Sequence, residues 1–154
     1  DSYCGIQAQD WIGGDTVTTA ELRKVVDMKL AIIGYTTTDT DQIHLDYAVD
    51  QAAQYVCTYC NFLKCPDDIP KSLQYVVADY TIGRFLQYKS TFAPNDLKNL
   101  NLDTVVKQIT TGDTTTTFAI GEGSQTDEQK LNAIIGYLTT YGKHELRCHR
   151  GLKW

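Results

Sequence analysis

No apolar run in this chain approaches the ~20 residues that a membrane-spanning helix requires. Its opening residues, Asp1-Ser-Tyr-Cys-Gly-Ile, lack a basic region followed by an apolar stretch, so no signal peptide is expected there. G-x-S-x-G, G-x-x-x-x-G-K and H-E-x-x-H are all missing, which removes the common hydrolase, phosphate-loop and metalloprotease signatures. There is no internal repeat and no long low-complexity tract. Cations are not in excess: 14 Lys+Arg against 19 Asp+Glu give a net charge of −5 and a pI near 5.0. General nucleic-acid binding needs clustered cations facing phosphate, so that class is disfavoured. A regular cysteine framework is absent as well. The five cysteines (Cys4, Cys57, Cys60, Cys65, Cys148) are odd in number, which argues for reduced thiols in an intracellular setting.

What is present is an ordinary globular composition. The 154 residues are 42% apolar and 21% charged, enough for one domain with a sizeable core. Thr18-x-x-Glu21 is a capping box that opens a helix through Leu22, Val25, Val26, Leu30 and Ile33, with Gly34 as its stop. After a Thr-rich linker, Asp39 to Gln42 starts the best-patterned helix. Leu45, Ala48, Val49, Ala52, Val56, Cys60 and Leu63 share one face, Asp46, Asp50 and Gln54 face away, and Cys65-Pro66 ends it. Pro70 is placed to begin a third helix whose stripe is Leu73, Val76, Val77, Tyr80, Arg84 and Tyr88. Ile82, Phe85 and Leu86 widen that stripe, so this helix is expected to be central. Residues 104–120 are rich in β-branched side chains around Thr111-Gly112-Asp113, which predicts a β-hairpin over about 104–120. Thr126-x-x-Gln129 opens a last helix to Tyr141, with Gly142 as its stop. The expected fold is mainly α: about four helices, one hairpin excursion and an extended C-terminal arm. Residues 1–18 form an N-terminal extension, residues 19–142 the helical domain and residues 143–154 the arm.

The arm, Lys143-His-Glu-Leu-Arg-Cys-His-Arg-Gly-Leu-Lys-Trp154, carries four of the 14 Lys+Arg and one of the 19 Asp+Glu. Its charge is therefore +3, against −8 for the other 142 residues. Mixing Leu146, Leu152 and Trp154 with Arg147 and Arg150 suits docking on another protein, since Arg and Trp dominate interface energetics.

Two chemical patterns compete with that reading. Cys57-Thr-Tyr-Cys60 with Cys65 has spacing that can share a zinc or do thiol chemistry. The pair falls near a helix end whose dipole opposes thiolate, and His144, Cys148 and His149 could supply a fourth ligand only if the tail folds back. His44, beside Asp41 and Asp46, is expected to make a local contact. No catalytic residue, metal site or cofactor is expected.

Read in order, the segments resemble one family. They are Leu45-x-x-Ala48…Ala52-x-x-Tyr55-Val56-x-x-Tyr59-Cys60-Asn61, Ile69-Pro70-x-x-Leu73-x-x-Val76-Val77-x-x-Tyr80, Gln108-Ile109-Thr-Thr-Gly112-Asp113…Phe118, and a final helix ending in Tyr141 before Arg150-Gly-Leu-Lys-Trp154. Together they resemble the head–tail connector (head-completion adaptor) family of long-tailed bacteriophages, from about Thr19 to Trp154. The N-terminal segment and the number of cysteines depart from that family. The resemblance implies a non-enzymatic virion protein, about a dozen copies of which form a ring between the portal and the tail or stopper protein. Such a ring extends the DNA channel without binding DNA specifically, at the head–tail interface of a particle assembled in the host cytoplasm. It also implies that Lys143, Leu146, Arg147, Arg150, Leu152, Lys153 and Trp154 meet the portal. The hairpin residues Lys107, Gly112, Asp113 and Phe118 would then line the channel or touch a neighbouring subunit. The alternative is a small intracellular zinc- or thiol-dependent regulator using Cys57, Cys60 and Cys65.

Gly112→Val should disturb the hairpin turn and leave the helices intact. Far-UV circular dichroism checks this; wholesale loss of helix would place Gly112 in the bundle's foundations instead.

Overall fold

The computed structural model describes residues 16–67, 69–98, 100, 102, 126–140 and 142–149. The expected hairpin at 104–120, residues 1–15 and Arg150–Trp154 lie outside the described residues. The described chain is a small helical bundle. Its helices are α1 (Thr19–Ile32), α2 (Asp39–Cys60), α3 (Gln74–Phe92), α4 (Asp127–Thr140) and the short α5 (Lys143–Cys148).

The helix starts are set by local chemistry. Thr18 Oγ1 accepts from the Glu21 amide at 3.2 Å, and Glu21 accepts from the Thr18 amide at 3.1 Å. Thr38 and Asp41 form the same reciprocal pair at the start of α2, with Asp in the place usually held by Glu. Thr126 and Gln129 repeat it before α4, at 3.2 and 3.0 Å. These boxes satisfy amides that the first turn leaves without intrahelical acceptors.

The stops are more varied. Gly34, at φ +87°, ends α1. The Tyr35 amide bonds Leu30 O and the Gly34 amide bonds Ala31 O, a Schellman arrangement that needs a left-handed residue. α2 ends at Cys60, because Asn61 turns left-handed (φ 61°) and the Phe62 amide reaches back to Cys57 O at 3.0 Å. The helix therefore does not run on to Cys65-Pro66, and Leu63 stands outside it, 91% exposed. Pro70 does not begin α3 either. It is extended and bridges Thr16, while the Val17 amide bonds Ile69 O at 2.9 Å; a 3-10 turn at Lys71–Leu73 then leads into α3.

α3 packs against α1, α2 and α4, and α5 leans on α2. Leu22, Leu30, Leu45, Val56, Phe85 and Ile134 are among its fully enclosed core side chains. Burying each such side chain stabilises the fold by roughly 1.5–3 kcal/mol. Because α3 has neighbours on three sides, its core face is wider than the expected stripe. Ala78, Asp79, Thr81, Gly83 and Lys89 are buried, whereas Arg84 and Tyr88 point outward.

Two glycines set close approaches. A Cβ on Gly83 would lie 2.7 Å from Thr139 Cγ2 and 3.1 Å from Leu138 Cβ, so α3 and α4 meet here almost backbone to side chain. Gly142 was expected to be the stop of the last helix; its φ is −78° and it leads directly into α5. Its lack of a side chain matters for another reason: a Cβ there would meet Val76 Cγ1 at 2.6 Å. No helix among the described residues is long and apolar enough to cross a membrane.

Gly83→Val should destabilise the bundle by about 1–3 kcal/mol through overpacking, despite the low helix propensity of glycine. Chemical denaturation measures this; an unchanged midpoint would mean that α3 and α4 separate freely at this contact.

Candidate functional site

The expected arm is divided. Its first half is α5, which belongs to the bundle. Leu146 is only 3% exposed, and its carbonyl accepts from Cys60 Sγ at 3.3 Å. His149 is 1% exposed; Nδ1 donates to Glu145 O at 2.9 Å, and Nε2 is 3.1 Å from Ser72 Oγ. Leu146 is thus a core residue and not a partner-facing one, because α5 turns its apolar side onto α2. Lys143 and Arg147 stay exposed on its outer side. Arg150, Leu152, Lys153 and Trp154, like Lys107, Gly112, Asp113 and Phe118 of the hairpin, fall outside the described residues.

The cysteines do not form the expected thiol set. Cys57 and Cys65 are joined in a disulfide, and Cys148 is also disulfide-bonded. The expectation of reduced thiols is therefore corrected for these residues, and Cys57 and Cys65 do not stand as two thiolate ligands beside Cys60. Among the described residues no group of three or more His, Cys, Asp or Glu is placed to hold a metal. His144 lies 3.8 Å from Cys148 Sγ, one turn along the same helix.

The most unusual electrostatics lie inside the bundle. Lys89 Nζ sits 2.6 Å from Asp41 Oδ1 and 2.7 Å from Asp96, and Tyr35 donates to Asp41 Oδ2 at 2.7 Å. Burial pushes the Asp41 carboxyl up, but hydrogen bonds from Lys89, Tyr35 and the Thr38 amide outweigh it and hold the group below its ordinary value. Burial and the bond to Asp41 push the Tyr35 hydroxyl up to about 12. Burial would lower Lys89, but Asp41 and Asp96 hold it above the usual lysine range. Tyr35, Asp41 and Lys89 are all buried, and the arrangement ties α2 and the Pro94–Leu97 turn to α3.

The surface that does open to solvent lies across α2, α3 and α4. One groove runs between α2 and α3, lined by His44, Tyr47, Arg84, Tyr88 and Phe92. His44 contacts Tyr88 across that interface, ring centroids 4.4 Å apart, and so does not make the local contact expected for it. Tyr88 in turn packs on Phe92 at 5.0 Å. Adjoining grooves are lined by Tyr55, Tyr80 and Arg84, and by Thr139 and Lys143 farther along. Tyr55 and Tyr80 stack at 4.5 Å with their planes 6° apart. Among the described residues no Asp or Glu lines any of these three grooves. Tyr47 and Phe92 are 65% and 72% exposed, a large aromatic area left open to water.

The chain matches no family model, no curated protein and no solved structure.

Sequence reasoning passed over this face. The signal was available in α2, where Tyr47, Gln51, Gln54 and Thr58 form an uncharged strip beside the carboxylates of Asp46 and Asp50. A solvated helix face usually mixes charges, so that strip is the anomaly.

Asp41→Asn should cost about 3 kcal/mol, at the low end for a broken buried pair because Asp96 still faces Lys89. The pH dependence follows from the directions above. Folded Asp41 binds its proton less readily than unfolded Asp41, so its contribution is present above about pH 4 and fades as pH falls through the lowered value. Tyr35 and Lys89 act in reverse, holding their protons longer when folded. Their contribution is present below about pH 10 and fades as pH rises past it. Urea unfolding of both proteins across pH checks this; an acid limb as steep in Asp41→Asn as in wild type would contradict it.

Proposed function

We propose that this chain is a structural, non-enzymatic protein of a phage-like particle: a head–tail adaptor that forms a ring between portal and tail or stopper proteins. The observation that carries the reading is the division of charge along the chain, −8 over the first 142 residues against +3 over the last twelve. α5 supports it by holding to the bundle through Leu146 and His149, which fixes where the chain passes to Arg150–Trp154. The helical bundle and the order and spacing of the quoted segments agree with the head–tail connector resemblance. On this reading the portal-facing residues are Lys143, Arg147, Arg150, Leu152, Lys153 and Trp154.

The chemistry of a conduit is consistent with the composition. A channel that passes DNA must not hold it, and carboxylates on its walls repel phosphate. Affinity for the portal then comes from many weak, identical contacts arranged in a ring, which add through multivalency. The protein would reside at the head–tail interface of the particle and be assembled there in the host cytoplasm.

Negative-stain imaging of the protein mixed with the portal protein of the same genome tests the reading. Wild type should add a ring beneath the portal. Deleting Arg150–Trp154 should leave the bundle folded by circular dichroism and abolish the added ring. No ring at any ratio for the wild type sinks the adaptor assignment. A deletion that joins portals normally removes the arm from it.

A further inference from the structure

We propose that two unlike flanks of the bundle bind each other between copies of this chain. The aromatic face around Arg84 on one copy receives the Asp46–Asp50 flank of the next. The inference deepens the ring reading and rests on it for the choice of a second copy as the occupant.

α2 divides the two flanks. On one side His44 contacts Tyr88 of α3, and Gln51 and Thr58, seven and fourteen residues on, continue that line along the grooves. On the other side Asp46 pairs with Arg23 of α1. Asp39 stands seven residues before Asp46 and Asp50 four after it, so all three share a flank at the helical period. Arg23 also pairs with Asp27 at 3.1 Å, so one cation serves two carboxylates while Asp39 and Asp50 are exposed beside them. The flank stays anionic.

The other flank has the complementary character. Arg84 is exposed and sits where three grooves meet; among the described residues it makes no ion pair and no carboxylate lines those grooves. In a chain with 19 acidic residues, such a face is the place where another copy's carboxylates meet least repulsion. Exposed Tyr47, Tyr88 and Phe92 supply the apolar contact, and aromatic and Arg side chains are the types enriched in the centres of protein interfaces. The two flanks are neighbouring strips of one helix, both turned outward, so each is left for another molecule to meet. The contact is heterologous, head to tail, and closes into a ring when the rotation per copy divides a full turn.

Sedimentation velocity of the full chain, from micromolar to millimolar and at low and physiological salt, reads this directly. Wild type should associate with concentration, and less so in salt. Arg84→Glu and Asp50→Arg should each weaken association at least tenfold, with helix content unchanged. Mixing the two variants should restore it, since each supplies the charge the other now needs. Association of Arg84→Glu equal to wild type, or a mixture that stays monomeric, overturns the proposal. If wild type stays monomeric throughout while a polyglutamate peptide titrates onto Arg84, the occupant is a different protein and the proposal also falls. The portal experiment still decides the ring reading in that case. Negative-stain images of associated wild type separate the two claims: closed rings support both, and open head-to-tail chains keep the interface but remove the ring.

Discussion

The three long helices α1, α2 and α4 take their positions from α3, which they enclose. A helix so placed has little polar face to spare, yet α3 carries Asp79 and Lys89 into the interior. Each must find an opposite charge there. Asp79 takes Lys29 of α1, and Lys89 takes Asp41 of α2 and Asp96 beyond its own end. Pairs of this kind add little net stability over an apolar core, but losing one partner strands a buried charge. A slip of α3 by one turn would strand both at once. The charges thus act on alignment, while the apolar contacts hold the helices together.

Much of the helical plan was legible because capping is local chemistry. Two Thr-led boxes, Thr18 with Glu21 and Thr126 with Gln129, were read from four residues each and both are present, whereas the Thr38–Asp41 box at the start of α2 went unread because Asp stands where Glu is usual. The apolar stripe of α2 was legible for the same reason, up to the residue where Asn61 turned the chain. What could not be read was anything decided by a neighbour. Arg84 and Tyr88 lie on the periodic stripe of α3 but face water, whereas Asp79 and Lys89 lie off it and are buried. Gly142 has the look of a helix stop, and only the proximity of Val76 reveals its real constraint. The Cys57–Cys65 bond depends on how the chain returns after α2, which no spacing rule supplies.

The candidate sites divide along the same line. The charge of the C-terminal segment is a sum over residues and needs no structure. The separate fates of neighbours Leu146 and Arg147, one inside and one outside, needed the packing of α5 on α2. The Arg84 face is assembled from residues of α2, α3 and α4, and the uncharged strip of α2 is the one part of it that a single segment displays.

α5 has six residues, too few to hold helical form by its own hydrogen bonds in water. It exists because Leu146 enters the core, Cys60 meets its carbonyl and His149 meets Ser72. Its shape is therefore conditional on α2 and the Lys71–Leu73 turn already being in place. A half-folded copy lacks the ordered base from which Arg150–Trp154 continues. If those residues carry the proposed docking, incorporation into a larger structure is coupled to completion of the subunit, a quality check built from one short helix.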